Sequence, residues 1–512
     1  MNKNVWQTST FADQRVFSFV LGFCFMMRLL PILALFGPLF FLFTYNSGYG
    51  YDAYEYLILA RSLDEGYVLY DFIPSKSYLL YSSTNVLLKL LGGYNHVSVS
   101  ALITLLAMAV LVSSWRAARI FGERAAVCTV VLTAVCCFFM EMNFLEPESW
   151  IAIFGLNAFA LAVSGATQTN WRWFGAGVLL GVAMCFKSVA AFYVVGFGAF
   201  VLLLWLTGRL AFWAMVGRGL LILAGFALPL FLSILYFYST DRLDAHLEWT
   251  YIYPFGGYPS HTLFLTKFLL KLSWLLLLLL VSIVLVVQRP YRELYMQTPA
   301  LWLALLLAVF GCVPMLKTQA SHYFFQAAVF FTIHLGFIAD RWLTQYESRH
   351  RRVSYRPVFM AGGAVGLLLL ISLLLYRPRA IKRFVSLADY GGEVQARDFI
   401  RELAGPKGHV LLFDNAMYLY YLSDRDPNVP FIHTEMQTTH YLKSHPNTYS
   451  QALADTSLKL VIFGNRSSLI DDSTAINQPA NVHALRQLRT GLQNHFVQIK
   501  NPRFPLTYWV RK

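Results

Sequence analysis

The chain has 512 residues, of which 57% are hydrophobic and only 13% are charged, whereas about 25% of the residues are charged in an ordinary soluble domain. With a mean hydropathy of +0.52, this composition excludes a soluble globular protein, a disordered chain and a disulfide-bonded secreted scaffold. The formal net charge is +14. In so apolar a chain we expect the excess in loops that orient a membrane protein, not on a surface for nucleic acid.

Long apolar runs follow one another along the first three quarters of the chain, and their length is that of bilayer helices. Eleven membrane spans are predicted, near residues 16–45, 96–114, 125–142, 149–165, 174–190, 191–207, 217–238, 264–287, 299–316, 323–340 and 358–376. Arginines concentrate in every second loop, as at 116–124, 209–218 and 349–356. The positive-inside rule therefore places these loops and the N-terminus in the cytoplasm. We predict a multi-pass α-helical protein of a bacterial-type cytoplasmic, or inner, membrane.

An odd number of spans places the last part of the chain on the outer face. We therefore predict a transmembrane domain at 1–376 and a soluble extracytoplasmic α/β domain at 377–512. Two outer loops of the first domain are long, 46–95 and 240–263, and the segment 51–63 in the first loop is predicted to be an amphipathic helix lying in the membrane interface. The α/β prediction rests on apolar runs typical of strands and on helical stretches between them: His409–Phe413, Val429–Ile432, Leu458–Phe463 and Leu506–Val510, with Gly392–Leu403 and Asn481–Leu492.

Two pairs of acidic residues lie where outer helices are predicted to begin. Asp52 and Glu55 share a helix face just after the first span, and Glu146 and Glu148 flank Pro147 ahead of the fourth span. Carboxylates there either complement the helix dipole, or deprotonate a hydroxyl or hold a divalent cation. Because both pairs lie on one membrane face, we predict Asp52 as the catalytic base or metal ligand, with Glu55 and Glu148 as the next candidates.

Cationic residues lie at the same predicted boundary. Lys76 precedes an apolar helix, Lys187 ends the fifth span, and Lys317, His322 and Tyr323 open the tenth span. A single lysine there is explained by snorkelling to the interface, but lysines near helix N-termini also bind phosphate. We predict that these five residues bind a lipid phosphate at the outer leaflet.

The order of these segments resembles that of the GT-C membrane glycosyltransferases, in particular the protein O-mannosyltransferase and lipid A aminoarabinose transferase types. The resemblance covers about residues 15–345 and rests on six segments in series: Tyr51–Tyr56, Ser75–Tyr81 continuing to Gly92, Arg119–Arg124, Glu146–Glu148, Phe186–Ser188 and Lys317–Tyr323. It implies a GT-C-like helical fold. It also implies an inverting transferase that uses a polyprenyl-phosphate-linked sugar.

The resemblance also implies roles for the site residues. Asp52 would be the base or a metal ligand, and the lysines would hold the donor phosphate. A divalent cation (Mg, Mn or Zn), where one binds, is expected to be shared by Asp52 and Glu148. The acceptor would be a lipid-linked glycan, a lipid or a protein of the cell envelope, and membrane lipids surround the chain. Four tyrosines are expected to stack on sugar rings: Tyr49, Tyr51, Tyr54 and Tyr56.

Three other functions are compatible with the sequence. A polymerase or ligase of lipid-linked glycans uses outer-loop Arg and His residues; His246 and His261, together with Glu146, are candidates for its acceptor side. A secondary transporter carries charged or broken helices at the bilayer midplane and inverted repeats, and no internal repeat is visible here. A non-catalytic assembly protein with a degenerate site is the third alternative.

Overall fold

The computed structural model of the chain describes residues 29–46, 49, 51–71, 77–139, 145–163, 170–257, 293, 297–314, 321–349, 391–413, 418–432, 441–442, 444–463, 479–500 and 506–512. Up to residue 349 the described chain is mostly helical. From residue 391 onward, helices combine with a four-stranded sheet.

The helices of the first part are α1 (Leu29–Asn46), α2 (Tyr51–Asp64), α3 (Tyr78–Leu90), α4 (His96–Ala118), α5 (Glu123–Phe139), α6 (Pro147–Val163), α7 (Asn170–Phe186), α8 (Ala191–Leu206), α9 (Phe212–Ser239), α10 (Leu243–Leu247), α11 (Pro299–Gly311) and α12 (Phe325–Arg349). Short 3-10 segments precede α5, α8 and α12, and a π-helical segment, Glu248–Gly257, follows α10. The second part contains α13 (Gly391–Ala404), β1 (His409–Phe413), α14 (Tyr418–Ser423), α15 (Thr448–Ala454), β2 (Leu458–Phe463), α16 (Pro479–His495), β3 (Phe496–Lys500) and β4 (Thr507–Arg511).

Nine of the predicted spans coincide with helices of the structure, and the other two, 264–287 and 358–376, lie outside the described residues. Within the described ranges, four helical segments are long and apolar enough to cross a membrane: α1, α4, α8 and α9 with their adjoining 3-10 turns. Helices α6 and α11 are shorter and apolar. The protein is therefore a mostly helical, multi-pass membrane protein, while the total of eleven spans and their orientation stay predictions.

Glycines bring α7 and α9 into backbone contact. A Cβ added at Gly177 or Gly181 of α7 would lie 2.2 or 2.4 Å from a backbone oxygen of α9, and a Cβ at Gly225 of α9 would lie 2.1 Å from the Phe174 oxygen. Small residues four apart are a common means of close approach between membrane helices. The contact fixes the C-terminal end of α7, which Lys187 follows.

The sheet has the strand order β1-β2-β4-β3, in which β1 and β2 are parallel and β4 pairs antiparallel with both β2 and β3. Successive residues of a strand point to opposite faces. Val410 and Leu412 of β1 accordingly join a core that continues into the membrane helices, whereas Leu411 and Phe413 join a second core closed by α15 and α16. One face of the sheet therefore packs on the core shared with the membrane helices, and the other face packs on α15 and α16.

The strands β1, β2 and β4 coincide with predicted runs, but the run Val429–Ile432 is not one of the four strands. Pro430 in its middle has no N–H to donate to a sheet. Strand β3 follows α16 without a connecting loop, and its sequence carries no apolar run that predicts a strand. The predicted domain boundary near residue 377 lies outside the described residues.

Helix α2 is enclosed by protein, so the prediction that it lies in the membrane interface is wrong. Residues 53–62 are all buried, with relative exposures between 0% and 9%. The helix packs on α3 and on α14 of the second part, and its apolar side chains belong to the core that runs through both parts. An amphipathic pattern cannot distinguish a lipid surface from an apolar protein surface.

Arg61 anchors α2 to the C-terminal part. Its guanidinium lies 3.0 Å from Asp424, 3.5 Å from Asp426 and 3.2 Å from Glu65 of its own helix. It also donates to the carbonyl oxygens of Tyr420 and Tyr421. The Arg61 side chain is only 8% exposed, so these contacts replace its hydration.

The two acids of the C-terminal part that pair with the buried Arg61 differ in exposure. The Asp424 side chain is 58% exposed and the Asp426 side chain 19%.

The tyrosines of α2 face protein as well. The ring of Tyr54 lies 6.0 Å from that of Tyr418 and 5.9 Å from that of Tyr421. The ring of Tyr56 lies 6.0 Å from that of Tyr81. Tyr54 and Tyr56 are 9% and 3% exposed, so the structure does not leave these two rings open for a sugar.

We expect Gly177→Ala to lower the thermal midpoint of the detergent-solubilised protein by several degrees. The added methyl group meets the α9 backbone, and overpacking of this kind typically costs about 1–3 kcal/mol. Gly219→Ala is the matched control, because it lies on α9 where an added Cβ meets no atom within 4 Å. Equal midpoints for the two variants would contradict the close α7–α9 contact.

We expect the thermal midpoint of the detergent-solubilised protein to fall as the pH rises from about 5 to 7.5. We expect Glu65→Gln to make this midpoint less dependent on pH. Burial and the neighbouring Asp426 raise the pKa of Glu65 from 4.5 to about 7. The folded chain therefore binds a proton that the unfolded chain has released, and stability from this group is lost between these two pH values. Glu402→Gln, at an exposed position, is the control. If the thermal midpoint changes with pH equally in the two variants, Glu65 is not the group responsible.

Candidate active site

A buried ion pair joins the start of α6 to the end of α7. The Nζ of Lys187 lies 2.7 Å from Oε1 of Glu148, and the two side chains are 12% and 0% exposed. Charges removed from water in this way require a partner. The Glu148 carboxylate lies in direct contact with the Lys187 amine and favours its charged form. Lys187 is therefore an ammonium.

Aromatic packing sets the two helix ends side by side. Trp150 of α6 stacks on Phe186 of α7, with ring centroids 4.6 Å apart and planes inclined by 14°. Glu148 precedes Trp150 by two residues, and Lys187 directly follows Phe186. Lys187 has an extended backbone (φ −164°, ψ 137°), which ends α7 at this point. The ion pair is thus built from the last turn of one membrane helix and the first turn of another.

Tyr323 completes this cluster. The Nζ of Lys187 lies 4.2 Å from the centroid of the Tyr323 ring, a distance typical of a cation–π contact. Tyr323 lies in the short 3-10 segment ahead of α12. The next residues are held by Gln326, whose side chain donates to the Gly311 carbonyl at 3.0 Å and whose backbone carbonyl accepts the Tyr193 hydroxyl at 2.6 Å. The structure therefore brings together two of the five predicted phosphate ligands.

The other predicted cations cannot be placed in the same way. Lys76, Lys317 and His261 lie outside the described residues. The backbone of His322 belongs to the same 3-10 segment as Tyr323, but the structure does not describe the His322 side chain. Helix α3, which begins two residues after Lys76, packs on α7.

The four predicted acids converge on Tyr56 of α2. Burial, followed by the charges of Asp52, Glu55, Glu148 and Glu146, raises the pKa of Tyr56. Glu55, Glu146 and Glu148 are buried, with 2%, 8% and 0% exposure, whereas Asp52 is half-buried. The acid-bearing starts of α2 and α6 therefore meet, as the sequence predicts, and Asp52 is the member that is most open to solvent.

Negative charge accumulates at this meeting point. Burial and the nearby Glu148 and Asp52 raise the pKa of Glu146, and Lys187 only partly opposes them. Among the described residues of the cluster, four carboxylates are set against the single ammonium of Lys187. Such an excess favours proton uptake by one of the carboxylates, which is a requirement for proton transfer near neutral pH.

His246 belongs to a separate aromatic cluster behind the end of α7. It is 0% exposed, stacks on Phe237 at 4.2 Å, and has its Nδ1 2.7 Å from the Tyr70 hydroxyl. Burial lowers the pKa of His246 to about 4, so the imidazole is neutral at pH 7. Cys185, two residues before Lys187, lies in the same cluster. The structure thus places His246 beneath the site and not among the acids.

The expected divalent cation finds no matching donor set in the described part of the chain. No group of three or more His, Cys, Asp or Glu residues in that part is placed to hold a metal ion. Of the two expected ligands, Asp52 and Glu148, the latter already binds the Lys187 ammonium. A divalent cation shared by Asp52 and Glu148 therefore stays a prediction.

Two residues of the site region, Arg61 and Tyr56, have roles that local patterns do not indicate. Arg61 holds α2 against the C-terminal part, and Tyr56 lies among the four acids. One signal was available for Arg61, because it directly follows the apolar run Leu57–Ala60. A lone charge beside such a run usually has a buried partner.

Comparisons with known proteins support the same fold. Residues 80–237 match the sequence model of the family described as dolichyl-phosphate-mannose-protein mannosyltransferase. Among curated proteins, no sequence matches the chain. Among solved structures, ArnT from Cupriavidus metallidurans bound to undecaprenyl phosphate is similar, with a TM-score of 0.58 and 14% identity over 94% of this chain and 98% of that chain.

The chain has the fold of the GT-C glycosyltransferases. The apo oligosaccharyltransferase of Archaeoglobus fulgidus is also similar, with a TM-score of 0.52 and 12% identity over 92% of this chain and 73% of that chain. The resemblance predicted from the order of the motifs is confirmed at this level. The family match runs from α3 to α9 and so includes Glu148 and Lys187, whereas Asp52 precedes it.

We expect Lys187→Met and Glu148→Gln each to destabilise the protein by about 3–5 kcal/mol, because each leaves a buried charge without its partner. The double variant removes both charges and is expected to recover most of the loss. Thermal midpoints in detergent measure all three variants. Lys89→Met is the control, because Lys89 is 54% exposed in its pair with Asp64 and such pairs contribute at most about 1 kcal/mol. Additive losses in the double variant would show that the pair is not coupled.

Proposed function

We propose that the chain is an integral membrane glycosyltransferase. It moves a sugar from a polyprenyl-phosphate-linked donor to an acceptor hydroxyl on the outer face of the cytoplasmic membrane. The observation that carries the proposal is the buried Lys187 ammonium, paired with Glu148 and covered by Tyr323, beside a cluster of carboxylates. A lipid-linked donor suits the outer face, because nucleotide sugars are not supplied there.

In this proposal Lys187 binds the donor phosphate. An ammonium has three N–H donors. One points to Glu148, so the same group can also donate to a phosphate oxygen and stabilise the charge that develops on the leaving group. Lys76, Lys317 and His322 are further proposed ligands. The similarity to ArnT, whose solved structure contains undecaprenyl phosphate, supports this kind of donor.

Asp52 is the proposed general base. It accepts the proton of the acceptor hydroxyl while that oxygen attacks the anomeric carbon of the sugar. The bond between the anomeric carbon and the phosphate oxygen breaks, and the polyprenyl phosphate leaves with the electron pair. The configuration at the anomeric carbon of the transferred sugar is inverted. Asp52 fits this role because it is the half-buried member of the acidic cluster, within reach of an incoming hydroxyl.

Glu148 receives a different role from the one that its sequence position indicates. Its carboxylate is fully buried and accepts a hydrogen bond from Lys187 at 2.7 Å. We therefore assign it to the positioning of Lys187 instead of proton transfer from the acceptor. Glu55 and Glu146 remain secondary candidates, since both lie close enough to Tyr56 for their charges to act on it.

The burial of His246 weakens the alternative of a lipid-linked glycan polymerase or ligase. It relies on an outer-loop histidine, and His246 is fully buried and neutral at pH 7. A secondary transporter is less well supported, since the family model that matches residues 80–237 describes a mannosyltransferase. The sugar and the acceptor remain to be assigned by assay.

The proposal is tested with purified protein in lipid nanodiscs and a panel of undecaprenyl-phosphate sugars, with release of undecaprenyl phosphate as the readout. Asp52→Asn should lower turnover by about 10² or more, the usual scale for lost acid–base catalysis, while binding of undecaprenyl phosphate is unchanged. Lys187→Met should instead weaken that binding roughly ten- to hundredfold, the loss expected for one charge-assisted contact.

Two matched controls accompany these variants. Asp64→Asn makes the same change at the other end of α2, and Lys89→Met makes the same change at an exposed lysine; both should keep parental turnover and binding. Parental turnover in folded Asp52→Asn would remove Asp52 from the mechanism. Parental affinity for undecaprenyl phosphate in Lys187→Met would remove the proposed phosphate site.

A further inference from the structure

An open groove of about 400 Å³ lies on the C-terminal part. It runs between residues 428–430 on one side and Tyr441, the turn 444–447 and α15 on the other. Ala452 of its lining belongs to the second core. Among the described residues that line the groove, none is an acid of the site cluster. Tyr441 also packs against the cluster that contains Tyr78 and Cys185, so this wall borders the end of α7.

Two aromatic rings form one wall of the groove. Tyr441 and His445 stack with centroids 4.0 Å apart and planes inclined by only 5°. Tyr441 also meets Phe431 at 6.1 Å, which ties the pair to the second core. His445 is exposed. A pyranose ring has a face of C–H groups that packs on an aromatic surface of this kind, and aromatic residues offer that surface at small entropic cost.

Oriented polar groups form the other walls. The Asn428 side chain is fixed, because its Nδ2 donates to the Ala452 carbonyl at 2.8 Å and to Asp455 at 3.3 Å. Its Oδ1 has no hydrogen-bond partner within the described part of the chain. Unsatisfied acceptors of this sort are uncommon in native structures. Because this oxygen is itself buried, the polar groups open to a sugar in the groove are those of the exposed Ser444 and Asn447 on the opposite wall.

The charge of the groove limits what it can bind. Among the described residues that line it, none is Lys or Arg, and Asp455 is the single acid. Hydrogen bonds from the Ser457 side chain and backbone hold the pKa of Asp455 below its usual range, so this side chain is anionic. Phosphorylated and carboxylated sugars are therefore repelled, whereas neutral sugars and amino sugars are accepted.

We propose that this groove is a subsite for a neutral or amino-sugar unit of a glycan acceptor. The inference rests on the proposed function in naming the bound glycan as the acceptor. The acceptor class is then a glycan, free or lipid-linked, that extends over the C-terminal part.

The test uses the full chain in nanodiscs and saturation-transfer NMR with three tetrasaccharides. These are chitotetraose, its de-N-acetylated form, and tetragalacturonate. The first two should bind and the anionic third should not. His445→Ala should weaken binding at least tenfold, and Tyr441→Ala should abolish it. His495→Ala is the matched control, because it removes another exposed histidine of the same part of the chain and should bind as the parent does.

Two outcomes would overturn the proposal: no tetrasaccharide binds to the parent at millimolar concentration, or binding is equal in the His445 and His495 variants at equal thermal midpoints. The Asp52→Asn variant separates this proposal from the proposed function. It should bind chitotetraose as the parent does. A chain that binds glycan but releases no undecaprenyl phosphate from any donor would refute the transferase and leave the groove intact.

Discussion

Helix α2 is held between two parts of the chain, and the geometry of the site depends on this arrangement. Its first turn carries Asp52, its last turn carries Arg61, and the residues between them are buried. At one end the helix meets the acid-bearing start of α6, and at the other it is pinned by carboxylates of the C-terminal part. A helix fixed at both ends holds the proposed base in place.

The two charged clusters obey the same electrostatic rule. Removing an ion from water costs several kcal/mol unless a partner and hydrogen bonds replace the hydration. Lys187 has Glu148, and Arg61 has Asp424 and Asp426. In both clusters the described carboxylates outnumber the cations. An excess of carboxylates is therefore present both at the proposed site of proton transfer and at the contact with the C-terminal part, and charge clusters of this kind are common at functional sites.

The features that the sequence predicts correctly are those that neighbouring residues determine. The starts of α2 and α6 are visible because acids and a proline at a helix start leave a sequence signal, and β1 and β2 coincide with apolar runs. The pairing of Glu148 with Lys187 spans 39 residues, and no local pattern encodes the choice of partner. The enclosure of α2 was missed for a related reason, since its apolar side chains suit a lipid surface and the α14 surface equally well.

The shared core of the two parts has a consequence for how the protein is made. Arg61 and Asp426 are 365 residues apart in sequence, so α2 leaves the ribosome long before the segment that covers it. Contacts of such separation form late and leave apolar surface exposed in the meantime. During synthesis α2 has to rest against the lipid interface or the insertion machinery until α14 arrives. The amphipathic pattern of its sequence, which misidentifies its final place, describes this temporary one.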